Sequence, residues 1–103
     1  MAVVLSEATE ARLVRAFAGG DLREARTLLE NDCAENIPMW NPCSPSGLDR
    51  LRIAAIKASG GTIEGLVDAI ALAQTDWRDL LVSAGFGHDV RLHELWWPGG
   101  SAS

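Results

Sequence analysis

The 103-residue chain is predicted to fold as an all-α bundle of five to six short helices, joined by glycine-punctuated turns and one proline-rich loop. Three observations carry that expectation. Apolar residues recur at helical spacing along most of the chain, and glycines followed by N-cap residues punctuate it. Strand signals are scarce: alternation is absent, tyrosine is missing, and β-branched residues do not cluster beyond Val3 and Val4. With 48% apolar residues the composition is that of a folded body rather than a disordered chain. A chain of this size buries roughly two-thirds of its unfolded surface, enough for a core without metals or disulfides.

The first helix runs from Ser6 as N-cap to Ala18, with Leu13, Val14 and Phe17 on one face, and Gly19 and Gly20 end it. Asp21 caps the second, and Glu24 three residues on completes a box-like pattern. Leu22, Ala25, Leu29 and Cys33 form its stripe. A third helix starts after Ser46, where Leu48, Leu51 and Ala55 share a face that Ile53 and Ile56 widen, which marks it as central. Gly60 and Gly61 close it. Thr62 caps a fourth helix carrying Ile63, Leu66, Val67 and Ile70. Thr75 or Asp76 begins a fifth with Trp77, Leu80, Leu81 and Ala84 on one face, stopped by the Gly-Phe-Gly at 85–87. A short sixth helix from Asp89 through Trp97 ends at Pro98 and Gly99. The expected organisation is one helical domain over 1–98 and a loose tail over 99–103.

Glycine pairs at 19–20 and 60–61, each followed by a cap and an aliphatic residue, repeat at an offset of 41. Helical-hairpin arrays have similar periods but need three or more units to bury their faces, so the pattern reads as ordinary hairpin punctuation.

Net charge is −5, and it is uneven: residues 1–60 hold seven basic and eight acidic side chains, residues 61–103 two and six. An acidic surface repels phosphate backbones and anionic lipid, so neither nucleic acid nor membrane is expected as a partner. A basic or neutral protein fits better. The N-terminal MAVVLSEATEAR has only a short apolar run and no basic lead-in, too little for a signal peptide or a span. With only two cysteines, the expected location is cytoplasmic.

The stretch TDWRDLLVSAGFG resembles the tryptophan-centred helix of short uncharacterised bacterial helical proteins, over about the second half of the chain. That resemblance implies no activity, cofactor or site residue.

The connection ENIPMWNPCSPSGL is the least regular part. Pro38, Pro42 and Pro45 forbid a continuous helix, and loops of about a dozen residues are often functional. Met39 and Trp40 are therefore candidate partner-binding residues, against the plainer alternative that Trp40 folds back to seal the core. Near the C-terminus, neighbouring rings on a helix diverge by about 100°, so Trp96 and Trp97 cannot enter one groove. Trp96, four residues from Leu92, is expected to pack inward. Trp97 either covers the body's edge or anchors a partner.

Cys43, His88 and His93 form an alternative candidate site, with Cys43 as nucleophile if a histidine lies beside it. Metal spacing is wrong: nine residues separate Cys33 from Cys43 and four separate the histidines, so no metal is expected. The carboxylates Glu64, Asp68, Asp76 and Asp79 sit in first turns, where they complement the helix dipole without catalysis. Arg12, Arg15, Arg23 and Arg26 interleave with Glu7, Glu10, Glu24 and Glu30, as in a solvated, ion-paired face. A helix-turn-helix spacing surrounds AQTD, but Asp76 and Asp79 against one Arg78 do not suit DNA reading. No phosphate loop, zinc helix motif or nucleophile elbow occurs, and no cofactor is implied. The expected function is a small cytoplasmic protein-interaction or regulatory module, self-association included. The alternative is a small enzyme or ligand-binding protein with a pocket near the proline-rich loop.

Overall fold

The structure, a computed structural model, describes residues 5–17, 21–32, 45–86, 96 and 98. Among these the chain is entirely helical, in four helices: α1 (Glu7–Ala16), α2 (Leu22–Asp32), α3 (Pro45–Ser59) and α4 (Ile63–Ser83). The Cα radius of gyration, 12.1 Å, is close to the roughly 13 Å of a compact chain of about 100 residues.

Four helices stand where five to six were expected because the expected fourth and fifth run on from one another across a kink at Asp76. α4 runs 21 residues with a single non-helical residue, Asp76, at φ −156° and ψ 91°. The Asp76 carboxylate Oδ1 accepts from the amides of Arg78 at 3.2 Å and Asp79 at 3.3 Å. The cap read from the sequence is thus made, but as a kink. The helix-turn-helix spacing around AQTD is therefore realised as this one-residue break and not as a longer loop. The expected sixth helix is corrected at Trp96, which is in no helix. Its carbonyl accepts from the Arg12 guanidinium. Its remaining residues, and the tail at 99–103, lie outside the described residues.

α3 occupies the centre, packed along α4 on one side and against α1 on another, while α2 lies against α4 and α1. All six residues from Leu51 to Ile56 are buried. A helix buried all round needs apolar residues off its main stripe, and Ile53, Ala54 and Ile56 supply them. The core joins these to Leu13, Phe17, Ala25, Leu29, Leu66, Ile70, Leu80 and Leu81. Two apolar residues of the expected stripes face outward: Val14 is 41% exposed and Val67 46%. Thr9 and Arg12 take the inward positions beside Leu13, which turns Val14 outward.

Local chemistry accounts for the helix ends. Ser6 caps α1, its Oγ accepting from the Thr9 amide at 3.2 Å. Thr9 in turn donates to Asp49 Oδ1 at 3.3 Å, tying α1 to α3. α3 begins at Pro45, a residue suited to a first helical position, and ends at Gly60 and Gly61, both at positive φ. There the buried Ser59 hydroxyl donates to the Ile56 carbonyl at 2.6 Å and accepts from the Gly61 amide at 3.1 Å. Thr62 caps α4, its Oγ1 accepting from Gly65 N at 3.0 Å. Thr62→Ala is expected to cost about 1 kcal/mol, read as a lower urea midpoint at unchanged slope; an unchanged midpoint would show the cap to be replaced by water.

α4 ends in a Schellman turn: Phe86 N donates to Leu81 O at 2.8 Å and Gly85 N to Val82 O at 3.0 Å, with Gly85 at φ +81°. The buried Phe86 is held from both sides. Its carbonyl accepts from Arg50 Nη2, and the Lys57 ammonium lies 5.0 Å from its ring centroid. No helix among the described residues is long and apolar enough to cross a membrane.

Candidate functional site

Every candidate site residue read from the sequence, Met39, Trp40 and Trp97 for a partner and Cys43, His88 and His93 for the alternative site, lies outside the described residues. Two concave surfaces are formed by residues within them, and neither was singled out from the sequence.

The first is a groove between α2 and α4. Leu28 on one side and Val67, Ile70, Ala71 and Gln74 on the other line a volume of about 270 Å³. Residues 67, 70, 71 and 74 share one helical face by their spacing of three and four. Ile70 is buried and Leu28 half-buried, whereas Val67 remains 46% exposed. On α4 Glu64 and Asp68 are exposed next to this face. From Ala58 to Trp77 the chain contains no basic residue; the α4 residues lining the groove are neutral, and Glu64 and Asp68 are the charges beside them.

The second is a crevice of about 380 Å³ where the C-terminal ends of α1 and α3 meet the chain near Trp96. Arg15, Ala16, Ile56, Lys57, Gly60 and Gly61 line it together with Trp96 and Pro98. Arg15 and Lys57 stand in the last turns of their helices, where cations complement the dipole. Where the ends meet, Gly61 is at φ +85°, and a Cβ there would lie 3.2 Å from the Ala16 carbonyl oxygen, a few tenths of an ångström tighter than an ordinary contact.

Arg12 holds the Trp96 side of this crevice in place. Only 4% exposed, it donates from Nε to the Trp96 carbonyl and from Nη1 to the Ala8 carbonyl, both at 2.9 Å. This removes Arg12 from the expected solvated arginine face, on which Arg15 and Arg23 are exposed. The inward packing expected of Trp96 is found: the half-buried ring rests against the core. Of the other arginines, Arg26 does pair across helices, Nε donating to Glu10 Oε1 at 3.1 Å and Nη2 to Oε2. That hydrogen-bonded Glu10 carboxylate, with its charge, raises the Arg26 pKa.

Sequence reasoning missed both surfaces because each depends on which helix ends and faces meet. One signal was present: Val67 lies on the apolar stripe of α4, and the lack of basic residues around it marks that face as distinct. Among the described residues no three His, Cys, Asp or Glu side chains gather as a metal site would require. The second-half resemblance brings no family with it. Comparison of the chain with protein-family models, with curated proteins and with solved structures finds no match.

Proposed function

We propose that this chain is a small protein-interaction module, working in a regulatory role in the cytoplasm, and that its α2–α4 groove receives a basic amphipathic helix of a partner protein. The observation that carries the reading is Val67, a large apolar side chain nearly half exposed over a groove beside acidic residues. Helices dock into such grooves through apolar residues at i, i+3, i+4 and i+7, and flanking charges set the partner's sign. Glu64 and Asp68 favour lysine or arginine at the partner's rim. Two cysteines in 103 residues fit a compartment where thiols stay reduced.

The test uses a synthetic amphipathic peptide of leucine and lysine, with a leucine–glutamate peptide as its control, followed by backbone-amide shifts. The lysine peptide is expected to move Leu28, Val67, Ala71 and Gln74, with affinity falling as salt rises. Val67→Lys should weaken it about tenfold or more by placing a like charge in the contact. Equal binding of the glutamate peptide, or shifts scattered over all helices, would sink the proposal. A Trp40→Ala, Trp97→Ala variant that abolishes binding while Val67→Lys does not would move the contact to those two residues.

A further inference from the structure

The break at Asp76 divides the core of the fold between two stretches of chain. After it come Leu80, Leu81, Ala84 and Phe86, all buried in the cluster that the earlier helices form. Three directed contacts cross the same divide. Arg50 donates to the Phe86 carbonyl, the Lys57 ammonium lies over the Phe86 ring, and Arg12 donates to the Trp96 carbonyl. The link between the two stretches is one non-helical residue, held by a single exposed carboxylate that accepts from the Arg78 and Asp79 amides. No glycine or proline lies between Leu66 and Ala84, so no helix breaker prevents residue 76 from joining an uninterrupted helix.

We propose that this break is a hinge through which two copies of the chain exchange their C-terminal segments, from Trp77 onward. With residue 76 helical, α4 runs straight and carries Leu80, Leu81, Ala84 and Phe86 away from its own α3. Those side chains are then buried against α3 of a second copy, whose own segment fills the vacated place in return. The exchange is self-complementary, as a two-fold dimer requires. Every contact across the divide is re-formed between copies, so the two forms differ chiefly at residue 76 and in the entropy of association. At the hinge the straight form gains the backbone hydrogen bonds that the break forgoes, whereas the folded-back form keeps the Asp76 cap. The Asp76 carboxylate is therefore the latch of the monomer. A one-residue connection leaves little slack for folding back, the condition under which exchange is favoured. The groove at Val67 lies wholly before the hinge, between Leu28 and residues 67–74 of α4, so peptide binding there is expected in both forms.

The test is to refold the full chain from urea at millimolar concentration and to separate the products by size-exclusion chromatography with light scattering. A dimer that returns to monomer only on unfolding is expected, since exchange requires the segment to leave the core. Asp76→Ala should lower the dissociation constant about thirtyfold, roughly fivefold for the cap lost from each of the two chains. Asp76→Asn retains a capping acceptor and should stay near the wild type. A Gly-Ser-Gly insertion between Thr75 and Asp76 keeps the cap, adds slack and interrupts a continuous helix, and it should abolish the dimer. Dimers refolded from a mixture of isotope-labelled and unlabelled chains should show filtered contacts between the Lys57 side chain of one copy and the Phe86 ring of the other. Should Asp76→Ala fail to fold by circular dichroism, the insertion variant and the filtered spectrum of the wild type decide. Absence of a dimer from both the wild type and a folded Asp76→Ala, a dimer whose contact between Lys57 and Phe86 stays within one copy, or equal dimerisation of the insertion variant would each overturn the proposal.

Discussion

Gly65→Ala is expected to destabilise the protein by about 3 kcal/mol, the upper end of what overpacking usually costs. A Cβ at residue 65 would lie 2.1 Å from the Ser59 carbonyl oxygen and 2.9 Å from both the Ser59 carbonyl carbon and Thr62 Oγ1. The obstacle is backbone, so no rotamer change relieves it. α4 would have to lift away from the end of α3, breaking the contact of the Thr62 cap with Gly65 N. Helix propensity alone predicts the opposite sign, since alanine is better than glycine in a helix by roughly 1 kcal/mol. Urea unfolding decides between them, and a thermal midpoint lowered on the order of 15 °C is the expected calorimetric counterpart. Gly60→Ala provides the contrast. Its φ of +65° is unfavourable for alanine, but a Cβ there meets nothing within 4 Å, so a loss of about 1 kcal/mol is expected. If Gly65→Ala proved neutral or stabilising, the close approach of α4 to the end of α3 would be wrong.

Arg12→Met is expected to cost about 3 kcal/mol and to release the Trp96 segment. Methionine preserves the apolar stem but removes the donors to the Ala8 and Trp96 carbonyls, and a hydrogen bond from a charged donor contributes roughly 1.5–3 kcal/mol. Arg12→Lys should recover only part of the loss, because one ammonium cannot reproduce the guanidinium's geometry toward two carbonyls on different segments. The indole N–H resonance of Trp96 reports the local effect: it should shift in both variants, whereas Val67→Lys, in the separate α2–α4 groove, should leave it in place. A loss below about 0.5 kcal/mol, within the range of ordinary surface substitutions, would show that the C-terminal segment contributes nothing to stability through Arg12.

These two residues also show where sequence reasoning stops. Arg12 sits at a spacing from Glu7, Glu10 and Arg15 that any solvated helix face would show; its burial depends on the return of the chain some 84 residues later. Gly65 reads as a weak point in a helix otherwise rich in good formers. Its necessity appears only once the end of α3 lies against the first turn of α4. By contrast Ser6, Thr62, Asp76 and Gly85 were all legible, because a cap or a left-handed stop acts within a few residues of itself.

The sequence by itself therefore determined the helical class, the central position of α3 and the chemistry of most helix ends, since helical period and capping are local properties of the chain. Tertiary structure decided that Val14 faces outward and that Arg12 and Arg52 are buried. It also decided the two concave surfaces, the groove at Val67 and the crevice where α1 and α3 end beside Trp96. Each is made by helices whose contact is set by the packing of side chains distant in sequence. No local rule specifies which of several apolar or charged faces will meet.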